Sequence, residues 1–313
     1  MQKLPVRMRS DIVETMLADE ARRLIDEAMA HESAGKHDEA SHIYRSIVSE
    51  LERKPEYRSE LSDAYAGLLV TLSMQGRRAR VMRIYRDYLA ECAPRHAPPF
   101  DEIYCDALLA TGDLPAPFER RERFHTLATL LERVLPLRGT VAECGCLRGL
   151  SSYILCRHMK LHDESFDGTG YQIFDSFQGL SVPQREDEIP DNYPDAARLR
   201  AMCVPGYFSA PLEAVKEALR MFPGIEYFAG WIPASFPQHS KTTYRFVHID
   251  VDLYQPIRDS LEYFYPRLAT GGIIVCDDYN WPGGRKAIEE FCAARNLEFK
   301  TSAHRQAYIV KDA

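Results

Sequence analysis

From about Leu24 to Leu130, apolar residues recur at the spacing of amphipathic helices. This part of the chain is rich in Ala, Leu, Glu and Arg and has few β-branched runs, which favours helices. From Gly139 onward, short apolar runs alternate with helical stretches. We therefore predict an all-α domain over residues 1–120 and a second domain over residues 121–313.

The helical part contains a loose internal repeat. Small residues, a turn glycine and an aromatic residue fall near the spacing of tetratricopeptide repeats, although the period is about 40 residues rather than the usual 34. The two copies contain Ala28, His31, Gly35, Ala40 and Tyr44, then Tyr65, Leu69, Leu72, Gly76 and Tyr85. Such units bury their apolar faces on a neighbour. We expect this TPR-like domain to pack on the second domain or in a homo-oligomer, or to bind a peptide or partner protein.

The second domain shows five short buried strands with helices between them. The strands are predicted at 140–144, 171–174, 226–229, 246–249 and 273–276, and the helices at 151–161, 211–221, 256–268 and 285–295. This alternation is typical of a parallel sheet covered on both faces. Residues 297–301 and 306–310 flank a polar turn and predict an antiparallel hairpin. The predicted fold is α/β, a doubly wound, mostly parallel sheet closed by that hairpin.

Two strand ends resemble a nucleotide-like cofactor site. Glu143-Cys-Gly145-Cys-Leu-Arg-Gly149 leads from a strand into a helix, where glycines allow close backbone approach and helix N–H groups point at a ligand. The next strand ends in Asp175-Ser176, where doubly wound folds bind ribose hydroxyls. Leu147 replaces a glycine of the dinucleotide fingerprint, which disfavours a nicotinamide oxidoreductase. A structural turn and a helix cap remain the alternatives.

Acidic residues end two further strands, in Val247-His-Ile-Asp250-Val-Asp252-Leu-Tyr254 and in Val275-Cys-Asp277-Asp278-Tyr279. Because the carboxyl ends of parallel strands meet at one sheet edge, we expect three carboxylates to converge there. Crowded carboxylates repel each other unless one is protonated or a cation lies among them. Oxygen ligands suit magnesium, calcium or manganese. Helix capping or solvation of the individual acids is the alternative interpretation.

Residues 140–292 resemble the macrocin O-methyltransferase family (TylF/MycF type) of class I S-adenosylmethionine-dependent methyltransferases. The resemblance rests on four motifs in order: Val-Ala-Glu-Cys-Gly-Cys-Leu-Arg-Gly-Leu-Ser-Ser, Phe-Asp-Ser-Phe-Gln-Gly-Leu, Val-His-Ile-Asp-Val-Asp-Leu-Tyr, and Gly-Gly-Ile-Ile-Val-Cys-Asp-Asp-Tyr followed by Pro-Gly-Gly-Arg-Lys-Ala-Ile. It implies a Rossmann-like methyltransferase fold, S-adenosylmethionine and Mg²⁺ or another divalent cation as cofactors, and methylation of a hydroxyl, above all on a sugar of a natural product or glycan.

The resemblance also implies roles for individual residues. Its cofactor site comprises Glu143, Gly145, Ser151, Asp175 and Ser176, and its metal ligands are Asp250, Asp277 and Asp278. Glu143 would meet the methionine ammonium or order the loop around it. Asp250 or His248 would accept the hydroxyl proton, and strand alternation favours Asp250, whereas His248 could instead be a packed core residue. Trp231, after Gly230 at another strand end, would line the adenine or fill the core.

Charge and hydropathy limit the remaining partners. The net charge of −7 over 313 residues provides no basic field for nucleic acid. No apolar run approaches the roughly 18 residues of a membrane span, and the first residues lack a signal-peptide core, so we expect a cytoplasmic protein without a membrane partner. The acceptor stays open between a small-molecule or glycan hydroxyl and a peptide or carboxylate presented by the helical domain. A non-catalytic interaction protein is a further alternative, and residues 181–207 form either an active-site lid or a solvated insertion.

Overall fold

The computed structural model describes residues 6–92, 96, 99–113 and 118–312. The chain folds into two compact units, one of Met1–Cys105 with Leu114–Phe118 and one of Asp106–Asp113 with Glu119–Ala313. None of the helices in these described ranges is both long enough and apolar enough to cross a membrane.

The first unit is helical, as predicted. Its helices are α1 (Val6–Ser33), α2 (His37–Leu51), α3 (Arg58–Met74), α4 (Arg78–Cys92) and the first part of α5 (Phe100–Thr111). Consecutive helices from α1 to α4 pack against each other. Gly67 on α3 lies so close to the Tyr44 ring that a Cβ atom would overlap it, and Ala28 and Ala40 are fully buried. Small residues thus permit close helix contacts, while the assignment to tetratricopeptide repeats stays a prediction.

The second unit contains the predicted α/β sheet. Its strands are β1 (Thr140–Cys144), β2 (Tyr171–Asp175), β3 (Glu226–Ala229), β4 (Tyr244–Ile249), β5 (Leu268–Cys276), β6 (Lys300–Thr301) and β7 (Ala307–Val310). They follow the order β3-β2-β1-β4-β5-β7-β6. Strands β1 to β5 are parallel, and β7 pairs antiparallel with both β5 and β6. The doubly wound, mostly parallel sheet with an antiparallel terminal hairpin is confirmed.

Further helices follow α5 along the chain. They are α6 (Phe118–Val134), α7 (Leu150–His162), α8 (Ala196–Met202), α9 (Leu212–Ala218), α10 (Tyr254–Phe264) and α11 (Pro282–Arg295). Val247 on β4, Ile257 on α10 and Ile288 on α11 belong to one apolar cluster and are all fully buried. Because helices bury strand residues on both faces, the central strands are near-continuous apolar runs. Buried polar exceptions inside these strands include Glu143, Gln172 and His248.

Three predicted helix ends differ from the structure by three or four residues. The helix predicted over 211–221 ends at Ala218, and the helix predicted over 285–295 begins at Pro282. The helix predicted over 256–268 ends at Phe264, a 3₁₀ turn occupies Tyr265–Arg267, and β5 already begins at Leu268. Pro266 lies in that turn, and proline cannot donate the backbone hydrogen bond that a continuing helix requires. The chain therefore leaves the helix earlier and enters β5 five residues before the predicted strand start.

The segment between β2 and α9 packs on the chain that follows β5. Its residues Ile189 and Leu199 form a small buried cluster with Trp281, and Tyr193 donates a hydrogen bond to the Asn280 carbonyl (3.0 Å). Asp187, also buried, accepts backbone hydrogen bonds from Tyr254 (2.7 Å) and Gln184 (2.8 Å). These contacts hold the segment to the protein, so it does not lie free in solvent.

Candidate active site

Glu143 lies in the interior beneath the sheet edge. The register of β1 and β4 places it opposite His248, and its Oε1 atom lies 2.9 Å from His248 Nδ1. Its Oε2 atom accepts hydrogen bonds from the Tyr171 hydroxyl (3.0 Å) and from the Ser152 hydroxyl. The Glu143 carboxylate is fully buried and bonded on both oxygens. Glu143 is therefore a buried residue that holds its neighbours in the site in place.

The loop after β1 is shaped by two glycines. Gly145 has a φ of 78° and Gly149, which precedes α7, has a φ of 86°, a region that favours glycine. A Cβ atom on Gly145 would overlap the Asp250 carbonyl oxygen. The glycine thus allows β1 and β4 to end side by side, with Asp250 N donating to Cys144 O (2.8 Å). Ser151 is buried in the first turn of α7.

Asp175 and Ser176 order the loops around them. Asp175 Oδ2 accepts from Cys146 N (2.8 Å), and Oδ1 accepts from Phe177 N (2.7 Å). Ser176 Oγ donates to Gly179 O (3.1 Å). The Asp175 carbonyl accepts from Gly230 N (2.9 Å), which sets the 39% exposed Trp231 beside this strand end. Of the predicted cofactor residues, the structure brings Gly145, Asp175, Ser176 and Trp231 to one edge, whereas the Glu143 and Ser151 side chains are buried.

Carboxylates converge at the ends of β4 and β5. Oxygens of Asp250, Asp252 and Asp278 lie within 4.8 Å of one another, and so do ligand atoms of His248, Asp250 and Asp277. Asp278 Oδ2 accepts from the backbone N–H groups of Val251 (3.1 Å) and Asp252 (2.8 Å). All three predicted metal ligands and the predicted proton acceptors are therefore neighbours.

Burial and mutual repulsion shift the pKa values of carboxyl groups in this cluster. Burial, followed by the charge of Asp250, raises the pKa of Asp252 to about 8. Burial, followed by the charges of Asp252 and Asp250, raises the pKa of Asp278 well above its ordinary value. Arg123 opposes both shifts. A positive charge among these groups lowers the free energy of their ionised forms.

Sequence reasoning missed several residues of this site. Arg123 on α6 forms an ion pair with Asp277 Oδ2, and Gln306 Nε2 donates to Asp277 Oδ1 (2.7 Å). Ser152 and Tyr171 bond to Glu143. The Asp-x-Asp spacing after β4 could have identified Asp252, but the remaining residues carry no local pattern that indicates their role.

A family model and curated proteins match the second unit. The model of Macrocin-O-methyltransferase (TylF) matches residues 117–303. A tetracenomycin-type rhamnosyl 4′-O-methyltransferase from Streptomyces olivaceus is 25% identical over 176 residues, covering 54% of this chain and 65% of its own length. Mycinamicin III 3″-O-methyltransferase from Micromonospora griseorubida is 27% identical over 173 residues, with coverages of 53% and 65%. The chain thus spans slightly under two thirds of these relatives.

Solved structures show the same fold. The O-methyltransferase NovP superposes with a TM-score of 0.51 at 22% identity, covering 66% of this chain and 88% of its own. A calicheamicin methyltransferase gives a TM-score of 0.51 at 19% identity, covering 69% of this chain and 94% of its own. The family model spans more than half of the sequence and includes every motif at the sheet edge. This chain belongs to the macrocin-O-methyltransferase (TylF) family.

Proposed function

We propose that this protein transfers a methyl group from S-adenosylmethionine to a hydroxyl of a small-molecule or glycan acceptor, with a divalent cation bound at the sheet edge. The observation that carries the proposal is the convergence of the β4 and β5 carboxylates beside the Gly145–Asp175 edge, on a chain of this family. Two curated relatives are named for O-methylation of a rhamnosyl tetracenomycin and of mycinamicin III. A sugar hydroxyl on a natural product is therefore the proposed acceptor.

The proposed cofactor site lies at the carboxyl ends of β1, β2 and β3. The loop from Gly145 to Gly149 opens α7 there, and Asp175 holds that loop through Cys146 N. The half-exposed Trp231 offers an aromatic face at the neighbouring strand end, which suits a flat purine. Ligands of doubly wound sheets bind outside the carboxyl ends of the strands, which is where these residues lie.

The carboxylate cluster fits a divalent cation. Its donors are predominantly carboxylate oxygens, which hard divalent ions prefer. The raised pKa values of Asp252 and Asp278 follow from burial and mutual repulsion, both of which a dication offsets. Asp250, Asp277 and Asp278 are the residues that we propose hold it.

When bound, S-adenosylmethionine supplies an electrophilic methyl group and the cation lowers the pKa of an acceptor hydroxyl. Asp250 is only partly buried, and its carboxylate oxygen is the proposed acceptor of the hydroxyl proton. Asp277 keeps a fixed orientation through Arg123 and Gln306. The ordered Asp175 loop and Trp231 restrict where the acceptor and cofactor can lie, which aligns the in-line displacement.

The test is calorimetric titration of the full chain with S-adenosylmethionine and with Mg²⁺, for the wild type and for Asp277→Asn/Asp278→Asn. A matched control is Glu213→Gln/Glu217→Gln, which removes two exposed charges from α9. We expect every protein to bind the cofactor and the Asn double variant alone to lose the cation. Methyl transfer from labelled cofactor to rhamnosyl and other deoxysugar glycosides then tests the acceptor.

Failure to bind S-adenosylmethionine in the wild type would overturn the proposal. If cofactor binding and methyl transfer continue unchanged in Asp277→Asn/Asp278→Asn, the cation has no part in the proposed function. Transfer to peptides in place of the glycosides would replace the proposed acceptor class.

A further inference from the structure

His248 carries a buried ring nitrogen with no hydrogen-bond partner. The imidazole is 1% exposed, and its Nδ1 atom lies 2.9 Å from Glu143 Oε1. Across the part of the chain that the structure describes, nothing hydrogen-bonds to Nε2. Leaving a buried polar atom unsatisfied costs about 1–3 kcal/mol. Such an atom therefore points to a ligand that completes its surroundings.

The unpartnered nitrogen faces the carboxylates. His248 lies in β4 and Asp250 directly follows the last residue of that strand. Asp277 N donates to Ile249 O (2.8 Å), which sets the end of β5 beside them. His248 Nε2 lies 3.8 Å from Asp277 Oδ1, and ligand atoms of His248, Asp250 and Asp277 all fall within 4.8 Å of one another. The nitrogen and the two carboxylates therefore surround one small volume.

The 3.8 Å separation suits a shared ion better than a direct hydrogen bond. It exceeds the usual N–H···O range. Two ligands that each lie about 2.1 Å from a common first-row ion are separated by about 3.0–4.2 Å, depending on the angle between them. The observed distance falls inside that interval, so both atoms can bind the same cation.

Glu143 prepares His248 for this role. A carboxylate accepts hydrogen bonds, so the ring donates through Nδ1 and, when neutral, keeps a lone pair on Nε2. Tyr171 (3.0 Å) and Ser152 bond to the other Glu143 oxygen, which fixes the carboxylate in place. This is the carboxylate–histidine arrangement that orients imidazole ligands in metal sites. A histidine that only filled the core would not need its second nitrogen 3.8 Å from the Asp277 carboxylate.

We infer that His248 Nε2 is a ligand of the divalent cation, together with Asp250 and Asp277, and that the site therefore binds Mn²⁺ or another first-row transition ion in preference to Mg²⁺. Imidazole nitrogen suits transition ions, whereas Mg²⁺ prefers oxygen ligands alone. The inference rests on the proposed function, because it specifies the cation that the proposal assigns to the carboxylate cluster.

The experiment uses full-length protein freed of metal with a chelator and titrated with Mn²⁺, with free Mn²⁺ followed by its electron paramagnetic resonance signal. Pulsed measurements on bound Mn²⁺ detect a directly bound ¹⁴N nucleus. We expect a ¹⁴N coupling in the wild type, and bound Mn²⁺ that only a large excess of Mg²⁺ displaces. His248→Asn should lose the coupling and bind Mn²⁺ about ten-fold or more weakly, while Glu143→Gln should weaken binding by about ten-fold.

His158→Asn is the matched control. His158 on α7 is also a buried imidazole whose Nδ1 atom lies 2.9 Å from a glutamate, Glu132, so its replacement perturbs the fold in the same way without touching the cluster. This variant should keep both the Mn²⁺ affinity and the ¹⁴N coupling. The wild-type spectrum gives a result of its own even if His248→Asn does not fold.

The experiment distinguishes failure of this inference from failure of the proposed function. Bound Mn²⁺ without ¹⁴N coupling, or an affinity that favours Mg²⁺, would overturn the inference and leave the proposed function standing. Absence of binding by both ions in the cofactor-loaded wild type would overturn the inference and the cation part of the proposed function together.

Discussion

Arg123 on α6 forms an ion pair with Asp277 at the carboxyl end of β5. The same guanidinium opposes the rise in the pKa of Asp252 and of Asp278. Arg123 therefore acts as a counter-charge for several carboxylates. A divalent cation at this edge would have to bind next to that positive charge.

We expect Arg123→Gln to bind divalent cations about ten-fold more tightly than the wild type, because a neighbouring positive charge is removed. Calorimetric titration measures this change. The cation-free variant should also unfold at a lower temperature, since carboxylates in the cluster lose their counter-charge. Arg157→Gln is the control, because Arg157 is similarly shielded and pairs with Asp106 away from the cluster. Weaker cation binding in Arg123→Gln would show instead that Arg123 supports the bound state.

Gly145→Ala should destabilise the protein far more than Gly170→Ala. Both glycines have a left-handed backbone, with φ of 78° and 81°, and therefore share a strain of about 1–2 kcal/mol on substitution. Around Gly170 a new Cβ atom meets nothing within 4 Å, whereas at Gly145 it overlaps the Asp250 carbonyl oxygen. Urea denaturation of the two variants measures the difference. Equal losses of unfolding free energy would contradict the close approach of the β1 loop and the end of β4.

Gly283→Ala should be destabilising by about 1–3 kcal/mol, although alanine normally favours a helix over glycine by about 1 kcal/mol. A Cβ atom at Gly283 would overlap Asp187 Oδ1. Asp187→Ala should itself cost about 1–3 kcal/mol, because Tyr254 N and Gln184 N lose their acceptor.

The double variant Asp187→Ala/Gly283→Ala tests this packing. With the carboxylate gone, Gly283→Ala should cost less than it does in the wild type, which appears as a coupling free energy in the double-mutant cycle. Simple additivity of the two losses would mean that Asp187 does not pack against Gly283.

Trp231→Ala should weaken S-adenosylmethionine binding by about ten-fold if the indole stacks on the purine. The chain has two tryptophans, and Trp281 is buried in the cluster with Ile189 and Leu199. Indole fluorescence should therefore respond to the cofactor in Trp281→Phe, where Trp231 remains, and not in Trp231→Phe. An unchanged cofactor affinity in Trp231→Ala would assign the tryptophan no part in the site.

The sheet was predictable because its strands are short apolar runs that can be recognised from the local sequence. The runs 140–144 and 226–229 match the bounds of β1 and β3 residue for residue. The prediction that 226–229 is buried is wrong, because β3 lies at the edge of the sheet and its residues are exposed or half-buried. The start of β5 was not predictable in this way. Gly271 and Gly272 interrupt its apolar pattern, and the strand pairs with β4 through a register shift, which depends on the partner strand.

The site was predictable only where its residues end strands. Asp250, Asp277 and Asp278 follow β4 and β5 directly, and parallel strands carry such residues to one edge. Arg123 reaches Asp277 across 154 positions, and Gln306 reaches it from the turn before β7. The role of Glu143 depends on the side chains that surround it. A carboxylate in a strand gives the same sequence pattern whether it faces a cofactor or a buried histidine.

The contact between Tyr193 and Asn280 joins two parts of the chain that lie 87 positions apart. Trp281 ties the same two parts together through Ile189 and Leu199. The segment after β2 therefore cannot be exchanged between family members by itself, because the residues it packs against follow β5 in the sequence. A chimera that exchanges residues 181–207 has to transfer residues 279–284 along with them, and in evolution these two stretches should change together.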